Sequence, residues 1–214
     1  MLTVKRFINI PVASNCYLLF DKEVGDDCIV VDPGSRKEDE LIAFLLRESL
    51  VPRYIILTHE HFDHCWGVNQ LMAKYNIPVV CSELCADAIK YEKRNCSVFY
   101  DNTAAFVIKN GTESVESMGM SMKFHGYDIR FYQTPGHTDA SISFDLGGFL
   151  FTGDTLIKEV RTVTKLPTGS KERLKLSMDL YALMKGKGYT VCPGHGEEFS
   201  INDFFYNSNN SFGK

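Results

Sequence analysis

Thr58-His59-Glu60-His61-Phe62-Asp63-His64 is the stretch that decides how this 214-residue chain is read. Three imidazoles and an aspartate fall within residues 59–64, directly after Tyr54 to Leu57 (YIIL), a run of the buried-strand type. In an extended segment, residues two apart project the same way. His59 and His61 can therefore grip one metal ion together, with Asp63 and His64 placed to serve a neighbouring one. Nitrogen and oxygen donors without thiolate suit zinc, iron or manganese. A lone histidine in a polar loop would carry no such meaning. Here the chain has six histidines. Three lie in this loop, and His137 and His195 sit in Gly-flanked turns after apparent strands, which leaves only His125 outside the pattern.

Upstream of the loop, Val4 to Ile10 and Cys16 to Phe20 read as strands. Cys28 to Asp32 (CIVVD) reads as a short buried strand stopped by Pro33-Gly34. Ser35 and Glu38 have capping-box spacing before a helix that carries Leu41, Ile42, Leu45 and Leu46 on one face and ends before Pro52. Downstream, the pattern predicts a helix from Trp66 to Tyr75, a strand from Pro78 to Cys81, and a helix from a Ser82 cap to about Arg94. Residues 95–120 show no readable periodicity. Met120 to Phe124 and Asp128 to Tyr132 suggest a hairpin turning at Gly126. Ser141 to Phe144 and Phe149 to Thr152 suggest a second, turning at Gly147-Gly148 and ending at Asp154. After a long polar connection over 155–170, Ser170 is placed to cap a helix to about Lys185. Tyr189 to Cys192 is the last strand, followed by the turn that holds His195. The Asn- and Ser-rich stretch after Phe205 is expected to fray. Hairpin, aspartate, helix, strand and histidine occur in that order twice, first with Asp32 and His59, then with Asp154 and His195. This predicts one domain over 1–214 built from two repeated halves, roughly 1–120 and 121–205. Each half offers polar residues at strand ends, where sites collect in α/β folds.

Composition narrows the partners. With 44% apolar residues the chain can bury a core without disulfides. A net charge of −4 and a pI near 5.9 steer it toward neither nucleic acid nor anionic membranes. Seven cysteines, odd in number, irregular in spacing and without a CxxC pair, argue against a disulfide framework and for a reducing compartment. Lys5 and Arg6 precede an apolar stretch, but Asn9 and Pro11 interrupt it, so it makes a poor signal-peptide core. The expectation is a cytoplasmic protein with a small-molecule substrate, no nucleic-acid or membrane partner, and an oligomeric state the sequence does not give.

The loop resembles the signature loop of the metallo-β-lactamase fold superfamily. The other motifs agree in order: VDPG with Asp32, TPGHT with His137, FTGDT with Asp154 and PGHG with His195. The resemblance implies a four-layer αββα sandwich, two mixed sheets with helices outside. It also implies two divalent metal ions, zinc foremost, with iron or manganese as alternatives. His59, His61 and His137 would hold the first ion, Asp63, His64 and His195 the second, and Asp154 would bridge them. A hydroxide shared by the two ions would be the nucleophile, and Asp63 would shuttle a proton to the leaving group. Asp32 would hold the second N–H of a ligand histidine; a plain helix-capping role is the alternative.

The motifs are closest to the glyoxalase II-like branch, whose typical members hydrolyse a glutathione thioester. That implies a small thioester or ester as substrate. The chain ends 19 residues (214 − 195) after His195, so the helical glutathione-binding extension of that branch is expected to be absent. The Gly-Arg-x-Asp element that follows FTGDTL in many relatives is replaced here by KEVRTVTKLPTGS. Lys158, Arg161, Lys165 and Lys171 lie in or just after this connection. They are either a solvated loop or a recognition strip for an anionic substrate, with Arg161 the best suited to a carboxylate or phosphate. Two other readings stay open. One is a mononuclear-iron persulfide dioxygenase using His59, His137 and Asp154; the other is a non-catalytic metal-bound module. Trp66 is expected to pack under the loop as core and Cys65 to be inert.

Overall fold

The computed structural model describes residues 1–204; the expectation of fraying after Phe205 lies outside them. The elements in chain order are β1 (Thr3–Ile8), β2 (Asn15–Phe20), β3 (Asp27–Val31), α1 (Asp39–Arg47), β4 (Val51–Ile56), α2 (Phe62–Cys65), α3 (Val68–Tyr75), β5 (Val79–Cys81), α4 (Glu83–Ala88), α5 (Ser97–Tyr100), β6 (Thr112–Ser114), β7 (Ser121–Phe124), β8 (Tyr127–Gln133), β9 (Ile142–Leu146), β10 (Phe149–Gly153), α6 (Lys171–Ala182), β11 (Thr190–Pro193) and β12 (Phe199–Ser200). The first sheet runs β1-β2-β3-β4-β5-β6, the second β12-β11-β10-β9-β8-β7. Both are mixed. β1 to β3 pair antiparallel and β3 to β6 parallel, while in the second sheet only β10 and β11 are parallel.

The layering follows from side-chain alternation along buried strands. In β2 and β3, Tyr17, Leu19, Ile29 and Val31 face one way and join Phe131, Phe144, Phe151 and Cys192 of the second sheet in a core between the sheets. Their neighbours Leu18, Cys28 and Val30 face the other way and pack against Leu41 and Leu45 of α1 and Val68 and Leu71 of α3. In β10 and β11, Leu150 and Val191 turn outward onto Leu174, Met178 and Tyr181 of α6. Helix, sheet, sheet and helix result, as the resemblance implied. No helix among the described residues is long and apolar enough to cross a membrane. All seven cysteines are free thiols, Cys65 among the fully buried ones.

Three local expectations change. Ser35 and Glu38 do interact, with Ser35 N–H donating to Glu38 Oε1 at 2.9 Å, but the pair does not cap α1. The helix begins at Asp39, and the Ser35 hydroxyl goes to Asn9 instead. The helix expected from Trp66 to Tyr75 starts earlier and is split into α2 and α3. Gly67 breaks it, its N–H being drawn out of the helical ladder to Pro33 O. The helix after Ser82 is capped as expected, but it stops at Ala88 rather than near Arg94. The chain then turns inward to Asn95, whose fully buried amide donates to Phe106 O at 2.8 Å. Ser170 caps α6 through its bond from Arg173 N–H.

Candidate metal centre

The polar residues gather where β3, β4, β8, β10 and β11 end, because each strand is followed at once by a turn carrying a donor. Asp32, just after β3, has a backbone φ of 49°, in the left-handed region that aspartate tolerates better than most residues. This turns its carboxylate back into the protein, where Thr58 N–H donates to Oδ1 (2.8 Å) and the Thr58 hydroxyl to Oδ2 (2.6 Å). His64 Nδ1 lies 3.1 Å from the same Oδ2. With its own proton committed to Asp32, the Thr58 hydroxyl can only accept from His59 Nδ1, 3.1 Å away. His137 Nδ1 faces Val163 O at 2.9 Å. In its neutral form each of these three rings is thus held in the tautomer that leaves Nε2 bare.

The bare nitrogens converge. His59, His61 and His137 offer donor atoms within 4.8 Å of one another, and so do Asp63, His64 and His195. Asp154 stands between the two groups. Its Oδ1 is 2.9 Å from His195 Nδ1 and 3.5 Å from His64 Nε2, while its Oδ2 is 3.6 Å from His137 Nε2. Asp63 Oδ2 is 3.4 Å from His195 Nε2 and 3.7 Å from His64 Nε2. Among the described residues, the buried Nε2 atoms of His59 and His64 have no hydrogen-bond partner. Leaving such atoms unpaired is costly, and a cation satisfies both. His61 Nδ1 and His137 Nε2 approach to 2.9 Å, a contact between two nitrogens that also calls for a shared cation or proton. The donor set therefore fits two metal ions.

Electrostatics agree. Burial pulls His59 well below its ordinary value, reinforced by the neighbouring imidazoles, and brings His61 down to about 4. On the other side, burial also opposes charge on His64 and His195, yet Asp154 and Asp63 outweigh it and raise them to about 9 and about 10. Asp63 is held below its usual range despite burial, chiefly by His64, and Asp154 well below it for the same reason. Without an ion, protons on His64 and His195 supply the positive charge these carboxylates demand.

The strand ends meet closely enough that glycine is required. A Cβ on Gly194 would lie 2.2 Å from Asp154 Oδ1 and 2.8 Å from His64 Cε1. One on Gly153, where φ is 49°, would lie 2.4 Å from Thr58 Oγ1. The structure thus brings together all seven candidate ligands and Asp32. Lys158 and Arg161 line a groove with Leu174, Met178 and Phe199, among whose lining residues none of the seven ligands occurs, and Lys165 is exposed. What the connection does send to the cluster is the Val163 carbonyl, a backbone group with no signature in sequence. Thr58 was legible as a hydroxyl beside His59 but was not singled out. Nor was Glu60, whose buried carboxylate accepts from Thr138 Oγ1 at 2.9 Å and ties the His59–His61 loop to the His137 loop.

A two-sheet sandwich with two adjoining His/Asp ligand sets at its strand ends defines a candidate metal-binding protein. Residues 9–195 match the model of the metallo-beta-lactamase superfamily, and the chain belongs to that family. It is 25% identical over 193 residues to the probable metallo-hydrolase YqgX of Bacillus subtilis, covering 89% of each chain. It is 30% identical over 153 residues to a hydroxyacylglutathione hydrolase of Serratia proteamaculans, covering 71% of this chain but 51% of that protein. Among solved structures it resembles the BLEG-1 B3 metallo-beta-lactamase (TM-score 0.83, 27% identity, 93% and 94% covered). It also resembles TTHA1623 in a di-iron-bound form (TM-score 0.77, 26% identity, 92% and 95% covered).

Proposed function

We propose that this protein is a two-metal hydrolase acting on a small thioester or ester. The observation that carries the proposal is the position of Asp154, one oxygen facing His64 and His195 and the other facing His137. When bound, two divalent ions would lower the pKa of a shared water toward about 7 and polarise the substrate carbonyl. The chain's own groups do the rest. Asp32, Thr58 and Val163 O fix the imidazole tautomers, and such outer partners tune both affinity and orientation. Asp63, whose Oδ2 lies 3.4 Å from His195 Nε2, would take a proton and return it to the leaving group. Support for a thioester comes from the likeness to hydroxyacylglutathione hydrolases, which this chain matches over about half their length.

The test is metal analysis together with a substrate panel. Protein reconstituted with zinc should hold two ions per chain. It should hydrolyse S-lactoylglutathione or a simpler acyl thioester, with activity lost to chelator and restored by zinc. The panel includes nitrocefin, because of the likeness to a B3 lactamase. A single tightly bound iron with an empty second set would overturn the proposal in favour of dioxygenase chemistry. Two ions with no hydrolysis of any panel member would overturn it in favour of a non-catalytic module.

A further inference from the structure

Residues 95–106 showed no periodicity, yet they are built onto the ligand loop. Phe62 N–H donates to Asn95 O at 2.8 Å. Asn95 in turn accepts from Ser97 N–H and donates to Phe106 O. Through this fastening the segment delivers aromatic rings to the one aromatic residue that lies between two candidate ligands, Phe62, flanked by His61 and Asp63. Its ring is 4.7 Å from that of Tyr100, inclined at 30°, and 5.4 Å from that of Trp66, edge to face. Trp66 meets Tyr100 edge-on at 5.9 Å and stacks on Phe106 at 5.8 Å. Trp66 is only 8% exposed. Its burial comes from these rings and from the Arg36 guanidinium above it. The expectation that it packs as core holds: it is buried and stacks on Phe106, which itself packs against the core beneath α1 and α3.

We propose that Phe62, Trp66 and Tyr100 form a shelf beside the metal centre that binds an apolar, preferably aromatic, group of the substrate. A purely structural staple would need only the buried faces of these rings. Tyr100 instead remains 49% exposed and Phe99 beside it 69% exposed, while Phe62 is half-buried. Offset and edge-on ring geometry is the arrangement in which a further ring is accepted favourably. The occupant is argued from continuity. Phe62 is flanked in the chain by His61 and Asp63, so the shelf begins one residue from two candidate ligands. Arg36, whose guanidinium lies over Trp66, is paired with Asp101 at 3.6 Å.

The proposal rests on the hydrolase reading only for the word substrate, and the test separates the two. Trp66 is the chain's single tryptophan, so its emission reports on the shelf. Zinc-loaded protein is titrated with phenylacetate and with acetate. Phenylacetate should change Trp66 emission saturably, and acetate should leave it unmoved. Phe62→Ala and Tyr100→Ala should each weaken phenylacetate binding by about tenfold, with two zinc ions retained and melting temperature little changed, and Tyr100→Phe should restore it. In parallel, the kcat/KM preference for 4-nitrophenyl phenylacetate over the acetate should fall by a similar factor in the alanine variants. Equal responses to the two carboxylates would overturn the shelf even if both esters are hydrolysed. So would variants that bind phenylacetate like the wild type, or an emission change that follows protein concentration and so reports a second copy of the chain. Selective binding of phenylacetate without turnover of either ester or of any member of the thioester panel would uphold the shelf while removing the hydrolase reading.

Discussion

Replacing Asp154 by asparagine keeps the shape and one oxygen donor but removes the charge between the two ligand sets. In the structure both carboxylate oxygens are engaged, Oδ1 with His195 and His64 and Oδ2 with His137, all within 3.6 Å. Unit charges about 4 Å apart attract by roughly 4 kcal/mol at an effective dielectric near 20. Losing that attraction at each site is worth about a thousandfold in affinity. Both ions should therefore be weakened together. The assay is competition against a chelator of known zinc affinity, following two binding steps on wild type and Asp154→Asn at pH 7.5. The expected result is a loss of roughly 10²–10⁴ in both steps, with the variant still folded by circular dichroism. Loss of one ion with the other bound at wild-type affinity would refute the idea that this carboxylate serves both sets.

Other consequences are open to measurement. Asp63→Asn should lower thioester turnover by roughly 10²–10⁴-fold, the usual worth of a positioned acid–base group, while metal content falls only modestly; near-normal turnover removes Asp63 from proton transfer. His64 and His195, raised to about 9 and about 10, carry protons at pH 7 in the metal-free protein. Zinc binding should thus release about two protons and tighten as pH rises from 6 to 8, seen by calorimetry in buffers of different ionisation enthalpy; no proton release would contradict the charge assignment. Glu38 is buried, and burial pushes it from its ordinary 4.5 up to about 8. The unfolded chain loses this proton near pH 4.5 and the folded chain only near 8, so the group lowers stability as pH rises across that window. Glu38→Gln should leave stability nearly unchanged at pH 4 and raise it by on the order of a few kcal/mol at pH 8.5; a pH-independent difference in melting temperature would refute this.

The sequence by itself determined all the strands but the short β6 and β12, because alternating or continuous apolar runs such as CIVVD and YIIL are local patterns. It determined the candidate ligands as well, because histidines and aspartates in turns directly after strands are local too. Hairpins at Gly126 and Gly147-Gly148 were legible for the same reason. What tertiary structure alone decided is how distant turns meet. Whether the Ser35–Glu38 pair would cap a helix depended on Asn9, which takes the Ser35 hydroxyl. The break at Gly67 depended on Pro33 O across the site loop. The tautomer of His64 depended on Asp32 directly, that of His59 on Asp32 through Thr58, and that of His137 on the Val163 carbonyl. The approach of Tyr100 to Phe62 followed from the path of loops that carry no periodic signal. Periodicity records which face of an element is buried. It does not record which backbone carbonyl or ring another segment will bring to that face, since such contacts are fixed only when the two sheets close on their common core.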